Sequence, residues 1–587
     1  ESLNEIVMQD GFHAELVASE PLVHDPVAID FDEDGRAFVI ELPPYNAYAL
    51  ENFDGHGSIR MLEDSDDDGA YDKSTVFADG LKYPTALACW DGGLFVGDAP
   101  DLLYLKDTNG DGRADERRVL FSGFGSDKAG EAHLNSFRWG FDNRIHFSTS
   151  LSGGDVRVVS DASLTPQNAT AQTSATESVS VRNRGVIFDP RNPTTFELTA
   201  GGGQHGMSLD NQGRRFVCSN SVPAQVLMYD DRYVARNPYV QAPQAAVDIA
   251  PEGKFTNLFR ISPIEPWREL RTRLRREGRF RGSDEGGKPF GFFTGATGIT
   301  IYRGDAWPTD YRGNLIVGDV ANNIVYRANL TANGVGLTAT RADKDAEFLA
   351  SRDIWFRPVQ FANAPDGSLY VLDMCRELIE GAAFLPPEFL KVLDPIGGSD
   401  RGRIYRLVPD GFARRSTPKL SKASTAELVA LLDHANGWHR DTASRLLYQR
   451  QDQSAGTALR QLVRNGKSPE GRLTALHSLN GMQSLDESTL LHGLGDAAPL
   501  VRIQSLQIAE QWAEQSAAVR SAIRRLAGDA DLNVRYQAAF SLGSFDGPER
   551  DAALVELAQR DGSDNWMQLA LQSSLESGAA NVLQTLA

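Results

Sequence analysis

The sequence is poor in cysteine. Its three cysteines, Cys89, Cys218 and Cys375, are widely spaced and odd in number, so they cannot all pair with one another. No CxxC or CxxCH motif occurs, which excludes a zinc ribbon, thioredoxin-type chemistry and covalently attached c-type haem within these residues.

The sequence also lacks long apolar runs and any excess of positive charge. No stretch approaches the roughly 20 apolar residues that cross a bilayer. The net charge of -20 disfavours a nucleic-acid partner, because a phosphate backbone requires clustered cations. One basic run exists, at 268–276 with Arg279 and Arg281 following. We interpret it as a solvated helix face, with an anion-binding rim as the alternative.

Motifs of the common hydrolases and nucleotide enzymes are missing as well. The sequence contains no GxSxG, Walker loop or HExxH. Its glycine run at 201–203 lacks the strand and helix context of a dinucleotide site. Any chemistry must therefore come from another arrangement of side chains.

Two acidic nonapeptides, 64–72 and 107–115, share the pattern DxDxDGxxD with Asn at one acidic position. Oxygen ligands at positions one, three, five and nine, with a glycine at position six for the sharp turn, predict a calcium loop. The alternative is a pair of solvated acidic turns. Position twelve is Thr75 or Arg118 rather than Glu, so the flanking helices of an EF-hand are not implied. The predicted ligands are Asp64, Asp66, Asp68 and Asp72 in the first loop, and Asp107, Asn109, Asp111 and Asp115 in the second.

A short motif recurs six times in the first part of the chain. Each copy is a turn of Asp, Asn or Gly followed by three or four alternating apolar residues and then a small or acidic residue, which predicts a hairpin turn leading into a strand. The copies lie at 34–41, 91–98, 142–148, 212–219, 312–319 and 366–373. This repetition predicts a six-bladed β-propeller over residues 1–412, closed by pairing of a strand at 402–408 with an N-terminal strand. We expect the two acidic loops to be equivalent turns of adjacent blades, and a long insertion at about 225–295 to cross one face.

After residue 412 the composition changes to Ala, Leu, Gln and Arg with helical periodicity. Helices carrying Arg440, Arg472, Arg502 and Arg535 at similar positions, with Met567 in a fifth, recur about every 30 residues. Residues 413–587 are therefore predicted to form a HEAT-like α-solenoid, available to a protein partner. The chain begins at Glu1 without Met and ends without a polar capping helix. We expect an exported, periplasmic or secreted protein whose signal peptide has been removed and whose C-terminus is truncated.

Two histidines are candidates for a general base. His133 and His205 each precede a predicted inner strand of the propeller, and a neutral imidazole can accept a proton near pH 7. The glycines that flank Gln204 and His205 allow a flat ligand to approach. The alternative is that each histidine is a structural residue bonded to a backbone carbonyl.

Arginines at predicted strand ends are candidates for ligand binding, because a guanidinium fork matches a carboxylate or a quinone oxygen. The same residues could instead tie blades together. The candidates are Arg182, Asn183, Arg184, Arg357 and Arg376, together with Gln204.

About two thirds of the chain resembles the PVC-type membrane-bound dehydrogenase family of planctomycetes and verrucomicrobia, which is related to quinoprotein glucose and sorbosone dehydrogenases. The matching segments are 20–23, 58–69, 102–112, 134–143, 202–207, 214–220, 297–305 and 356–367. Members of that family carry a propeller, HEAT-like repeats and often a haem domain.

The resemblance implies oxidation of a sugar or other alcohol by pyrroloquinoline quinone (PQQ), with calcium bound and a cytochrome c as a possible electron acceptor. The quinoprotein base pattern is approximated by His133, Arg138 and Asp142, so Arg138 joins the predicted catalytic residues. The quinone contacts of the relatives correspond to Arg182 and Asn183. Two alternatives stay open: a calcium-containing polysaccharide lyase or hydrolase, and a non-catalytic glycan-binding protein.

Overall fold

The computed structural model describes residues 2–47, 50, 55–126, 132–159, 178–280 and 287–587. Its first part contains six antiparallel sheets, arranged in chain order as blades 1 to 6 of a propeller. Blade 1 comprises the strands Pro26–Phe31, Ala37–Glu41, Gly57–Glu63 and Lys73–Leu81. Blade 2 comprises Pro84–Trp90, Gly93–Asp98, Asp101–Lys106, Glu116–Phe124, Gly154–Val158 and Val179–Ser180. Blade 3 comprises Asn135–Trp139, Ile145–Ser148, Gly185–Phe188 and Glu197–Thr199. Blade 4 comprises Met207–Leu209, Arg215–Ser219, Val222–Leu227 and Ala246–Asp248. Blade 5 comprises Ala296–Ile301, Leu315–Asp319, Ile324–Asn333, Gly336–Arg341, Leu349–Ser351 and Ile6–Met8. Blade 6 comprises Pro358–Asn363, Leu369–Asp373, Arg403–Pro409 and Phe12–Ala18.

The recurrent sequence motif is the second strand of every blade, so the predicted six-bladed propeller is confirmed. In blade 6, for example, Leu369–Asp373 is buried throughout and follows a turn in which Gly367 has φ +87°. The turn needs a left-handed residue, which glycine supplies at little cost.

The ring closes through the N-terminus, as predicted. Phe12–Ala18 pairs with Arg403–Pro409 from Phe12 opposite Pro409 to Ala18 opposite Ile404. The preceding strand Ile6–Met8 pairs with Leu349–Ser351 of blade 5. The start of the chain therefore completes two neighbouring blades.

The two acidic loops occupy the same position in adjacent blades. Each connects the third strand of its blade to the fourth, with Glu63 opposite Lys73 in blade 1 and Lys106 opposite Glu116 in blade 2. The predicted equivalence of the two turns is confirmed.

The second part of the chain is helical, and no helix in the described ranges combines the length and apolar character needed to cross a bilayer. Its helices are Thr425–Leu431, Gly437–Arg450, Gly456–Asn465, Pro469–Gly481, Glu487–Gly493, Pro499–Ala509, Ala517–Leu526, Leu532–Ser541, Pro548–Asp561, Asn565–Ser573 and Ala579–Leu586. The propeller part adds Ser2–Glu5, Asp231–Ala235 and Pro266–Arg276.

The repeated arginines hold successive helical repeats together. Arg502 donates to the carbonyl of Asp496 at 2.7 Å and pairs with Asp529 at 2.8 Å. Arg535 donates to the carbonyl of Asp529 at 2.9 Å and pairs with Asp561 at 2.6 Å. Each arginine thus fixes the turn before its own helix and the start of the next repeat.

The helices that carry these arginines face the propeller. Gln504 donates to the carbonyl of Gln212, Tyr536 to that of Met228, and Asn143 of the propeller donates to His477 of the solenoid. One hydrophobic cluster runs without a break from blades 1, 4, 5 and 6 into the helices. This inner face is occupied by the propeller, so a partner that binds the repeats would use the outer helices.

The interface contains one bidentate ion pair, which generates a stability prediction. Arg303 of blade 5 binds Asp441 through two bonds of 2.6 and 2.9 Å, and both side chains are largely buried. We expect Asp441→Asn to lower the free energy of unfolding by roughly 2–4 kcal/mol, because it leaves a buried guanidinium without its counter-charge. Chemical denaturation with tryptophan fluorescence measures this loss.

The matched control is Asp400→Asn, which removes an exposed ion pair with Arg401 at 3.8 Å. Its effect should stay within about 0.5 kcal/mol. Because the core is shared, both variants should unfold in one transition. Equal effects of the two substitutions, or separate transitions for propeller and solenoid, would contradict this account.

Candidate active site

A cavity of about 700 Å³ lies on the propeller axis. The first strand of each blade runs beside the axis, so side chains from all six blades reach the same space. The axial residues, in blade order, are Val27, Thr85, Asn135, Ser136, Arg138, His205, Gly206, Thr297, Gly298, Val359 and Gln360. The mixture of apolar walls and a few polar groups is typical of a small-molecule site.

The structure brings the two predicted histidines into this cavity. His133 lies just before the first strand of blade 3, is 3% exposed and packs edge-on against the Tyr83 ring at 4.9 Å. His205 lies just before the first strand of blade 4. The two imidazoles therefore come from adjacent blades.

Asn135 fixes both histidine-bearing loops. Its amide nitrogen donates to the carbonyls of His133 at 3.0 Å and Gln204 at 3.1 Å, and its amide oxygen accepts from Gly206 N–H at 3.1 Å. Ser136 beside it accepts from Met207 N–H at 3.0 Å. Sequence reasoning missed Asn135, although its place two residues after His133, at the start of the strand, was visible.

Gly206 allows the loop of blade 4 to lie this close to blade 5. Its φ of +142° lies outside the range of most side chains, and a Cβ there would sit 2.8 Å from the backbone nitrogen of Ile299. The neighbouring His205 carbonyl accepts from Gly298 N–H at 2.7 Å. The backbone of His205 is therefore held from both sides.

Burial keeps His205 neutral. Burial, together with the nearby His133, lowers the pKa of His205 to about 4. A neutral imidazole carries a lone pair that can accept a proton, bind a hydroxyl hydrogen or ligate a metal.

The cavity is roofed by a lid made of two segments. The helix Pro266–Arg276 and the chain at 378–393 pack together through a cluster of Trp267, Leu270, Leu274, Leu378, Leu385, Phe389, Leu390 and Leu393. The lid places Arg271, Arg275, Phe280, Glu380 and Phe384 on the cavity wall. This part of the predicted insertion lies over one face, whereas its earlier part contains Ala246–Asp248, the fourth strand of blade 4. Residues 281–286 lie outside the described part of the chain.

The lid corrects the interpretation of the basic run as a solvated helix face. Arg268 and Arg271 are 1% and 4% exposed, and Arg268 binds Glu265 at 3.3 Å and Glu380. Burial would raise the pKa of Glu265, but the charges of Arg268, Arg357 and Arg260 outweigh it and lower that pKa to about 2. The buried members of the run hold the lid together, and Arg271 and Arg275 line the cavity. Arg281 lies outside the described residues.

A family model for a domain of unknown function, DUF7133, matches residues 1–411, which is most of the chain. The chain belongs to the DUF7133 family. A second model, for HEAT repeats, matches residues 487–576 of the helical part. No curated protein matches the sequence.

Among solved structures, the DUF7133 chain is similar to three dehydrogenases. A glucose dehydrogenase of Thermus thermophilus shows 14% identity and a TM-score of 0.37, over 68% of this chain and 100% of that one. The PQQ domain of pyranose dehydrogenase from Coprinopsis cinerea shows 12% identity and a TM-score of 0.35, over 69% of this chain and 97% of that one. The soluble aldose sugar dehydrogenase of Escherichia coli shows 12% identity and a TM-score of 0.35, over 68% of this chain and 99% of that one. At this level of similarity the activities of those enzymes do not transfer to the DUF7133 chain.

Two of the predicted cofactor contacts are structural in the DUF7133 propeller. Arg357 is fully buried and donates to the carbonyls of Val320, Arg376 and Glu377 at 2.7 to 2.8 Å. Arg376 is fully buried and binds Asp25 through bonds of 3.0 and 2.5 Å. Neither lines the cavity. The structure thus places both guanidinium groups in the scaffold, which does not match their prediction as cofactor contacts.

The turn at 182–184 also lies outside the cavity wall. Arg182 and Asn183 are exposed, and Arg184 binds Asp231 and donates to the Thr199 carbonyl. Of the six predicted contacts only Gln204 lines the cavity. Gln204 uses its side-chain oxygen to accept from Asn220 N–H at 3.1 Å, which leaves its amide hydrogens for a ligand.

The acidic loops belong to the outer strands of blades 1 and 2, away from the axis. Oxygens of Asp64, Asp66 and Asp68 lie within 4.8 Å of one another. Asp64 accepts from Gly69 N–H at 2.7 Å, and Asp107 accepts from Gly112 N–H at 2.8 Å, so both loops are wound alike. Asp72 and Asp115 differ from the prediction, since each turns its carboxylate to the residue at position two of its own loop, Ser65 or Thr108.

The low pKa of His205 generates a prediction for stability against pH. The unfolded state binds a proton near pH 6.5 and the folded state only near pH 4, so stability is lost as the pH falls through this window. Replacing His205 with Gln should therefore reduce the difference in unfolding free energy between pH 7 and pH 5 by at most about 2 kcal/mol. Urea unfolding at the two pH values measures it.

The control for this test is His492→Gln at an exposed position of the solenoid, which should leave the pH difference unchanged. The same pH dependence in wild type and in the His205 variant would show that His205 is not held neutral.

Proposed function

We propose that the axial cavity is the active site of an oxidoreductase that oxidises a hydroxyl group of a sugar or a related alcohol. The observation that carries the proposal is the pair of histidines in one roofed cavity, with His205 neutral at physiological pH. Alcohol oxidation requires removal of a hydroxyl proton and a hydride, and a neutral imidazole is suited to the first of these.

His205 is the proposed base and His133 its neighbour. Protonation of His205 places a cation beside His133 in a buried site, which is unfavourable unless a negative group is bound nearby. Arg271, Arg275 and Glu380 on the lid set the charge at that end of the cavity. Asn135 acts as a positioning residue because it holds both histidine loops by their backbone.

The residues of the cavity fit an anionic, planar cofactor. Arg271 and Arg275 on the lid, with Gln204, Asn220 and Thr294 on the loops, would hold such a group, since guanidinium and amide donors match carboxylate and quinone oxygens. A bound PQQ would supply the hydride acceptor. A c-type cytochrome is the proposed acceptor of the electrons outside this chain, in the periplasm or another exported location.

For the acidic loops we propose calcium and a structural role. Oxygen side chains at positions one, three and five, wound around backbone N–H groups, match the start of known calcium loops. Their place on outer strands favours a clamp on blades 1 and 2 over a part in the reaction.

Calcium removal should lower thermal stability. We expect chelation to decrease the Tm, because a bound ligand stabilises the folded state. Asp68→Asn and Asp111→Asn change the equivalent fifth positions of the two loops. Each should remove part of the rise in Tm that calcium gives. Differential scanning fluorimetry with and without calcium measures the change. Asp79→Asn, at an exposed strand position, is the control. A Tm that does not respond to calcium in the wild-type protein would refute the clamp.

Reconstitution tests the enzymatic proposal. We expect PQQ to bind the protein with a change in its absorbance, and the complex to reduce a dye with members of a panel of sugars and sugar alcohols. His205→Gln should lower kcat about 100- to 10,000-fold, the range for loss of a general base, with PQQ affinity retained. His492→Gln is the matched control and should keep full activity.

Three results would count against this function or against the role given to His205. No spectral change and no dye reduction with any alcohol would exclude a PQQ-dependent oxidoreductase. Full activity in the His205 variant would show that another residue is the general base. Release of unsaturated products from a uronate polymer without a quinone would favour the lyase alternative.

A further inference from the structure

A second cavity lies on the axis below the histidines, and Arg138 lies between the two cavities. Arg138 borders both the upper cavity and a second, smaller cavity of about 140 Å³. The lower cavity is closed by the solenoid through Trp438, Asp441, Thr442 and Arg445. Arg138 lies three residues beyond Asn135 on one strand, so it is about 10 Å deeper than the histidine clamp.

The guanidinium of Arg138 has little of the hydrogen bonding that a buried arginine requires. Its one bond within the described residues runs from Nη1 to the Phe137 carbonyl at 2.9 Å. No carboxylate of the described chain lies within ion-pair distance of it. No bond from Nε or Nη2 occurs within the described residues, and the half-buried side chain lines both cavities. Four of its five N–H donors are available to a ligand.

Charge compensation is equally incomplete. Burial lowers the pKa of Arg138, and only the charge of Asp30 acts against that effect. Asp30 is engaged elsewhere, because it accepts from Cys89 N–H at 2.8 Å and its charge also acts on Arg445 of the solenoid. Other buried arginines of the propeller are paired directly, as Arg327 is with Asp343 at 2.6 Å.

We propose that Arg138 is an anion-binding site between the two axial cavities, and that it binds the carboxylate of a ligand entering from the histidine side. A planar carboxylate matches the two parallel N–H donors of a guanidinium fork. One carboxylate at the guanidinium completes the compensation that Asp30 begins, because any further charge of the ligand lies away from Asp30. Phosphate would concentrate more than one charge on a tetrahedral group at the same point, so we expect it to bind less well. The proposal does not require the cavity to be an oxidoreductase site.

The carboxylate could belong to an acidic sugar or to a quinone cofactor, and binding experiments distinguish these sources. The probes are glucuronate, glucose as its neutral counterpart, PQQ and inorganic phosphate, each added to the full-length chain at pH 7. Isothermal titration gives affinity, and the Tm gives an independent readout. We expect glucuronate or PQQ, but not glucose, to bind and raise the Tm, and Arg138→Gln to weaken that binding at least 10-fold.

The ligand-free variants separate a binding role from a structural one. If Arg138 is an uncompensated buried cation, Arg138→Gln should leave the Tm of the ligand-free protein unchanged or raise it. A structural arginine would give the opposite result. Arg182→Gln, at an exposed position near the same blade, is the control and should keep both affinity and Tm.

Each outcome decides the proposal. Binding of glucuronate assigns the site to an acidic sugar, and binding of PQQ alone assigns it to a cofactor; both support a carboxylate site if Arg138→Gln removes it. Equal binding of glucose, a phosphate effect as large as that of the carboxylates, binding retained in Arg138→Gln, or a lower Tm of that variant without ligand would overturn it. Failure of dye reduction alone would refute the proposed oxidoreductase and leave this site intact.

Discussion

Closure of the ring by the N-terminal strand is the constraint on which the rest of the molecule depends. A six-bladed sheet arrangement left open would expose the edge of Arg403–Pro409, and Phe12–Ala18 removes that edge by pairing along its length. Because the inner strands meet only when the ring is closed, the axial cavity exists only in the closed propeller. The contact between the two ends of the propeller sequence therefore determines whether there is a site at all.

The two faces of the propeller are covered by different means. The solenoid lies on one face through a shared core and the Arg303 to Asp441 pair, while the lid covers the other through a small cluster and the salt bridges of Arg268. The larger, more apolar contact favours a permanent seal, and the smaller, more charged one favours a lid that can open. Ligands are therefore expected to enter from the lid side.

Much of the fold could be predicted because blades and HEAT helices repeat, and repetition makes weak local signals add up. The six turn-and-strand motifs and the helical arginines are of this kind. The cofactor contacts could not be predicted in the same way, because Arg357 and Arg376 look alike in sequence to ligand-binding arginines. Only the structure shows that Arg357 donates to backbone carbonyls and that Arg376 donates to Asp25. The lid residues Arg271 and Arg275 were visible as a basic run, but which helix face is buried depends on Glu380, more than 100 positions further along the chain.

The buried arginines of the scaffold lie beside carboxylates or carbonyls, and this distinguishes them from the groups at the axis. Arg268, Arg357 and Arg376 are buried and bound by carboxylates or carbonyls, so they stabilise one arrangement of the chain. At the axis the pattern reverses, since His205 is held neutral and Arg138 is left with most of its donors unbonded. Folding alone gains nothing from the arrangement of Arg138, because a desolvated cation without a direct counter-charge costs stability. A cost that the fold does not need is most simply explained by a ligand that completes the charge and the hydrogen bonds when it binds.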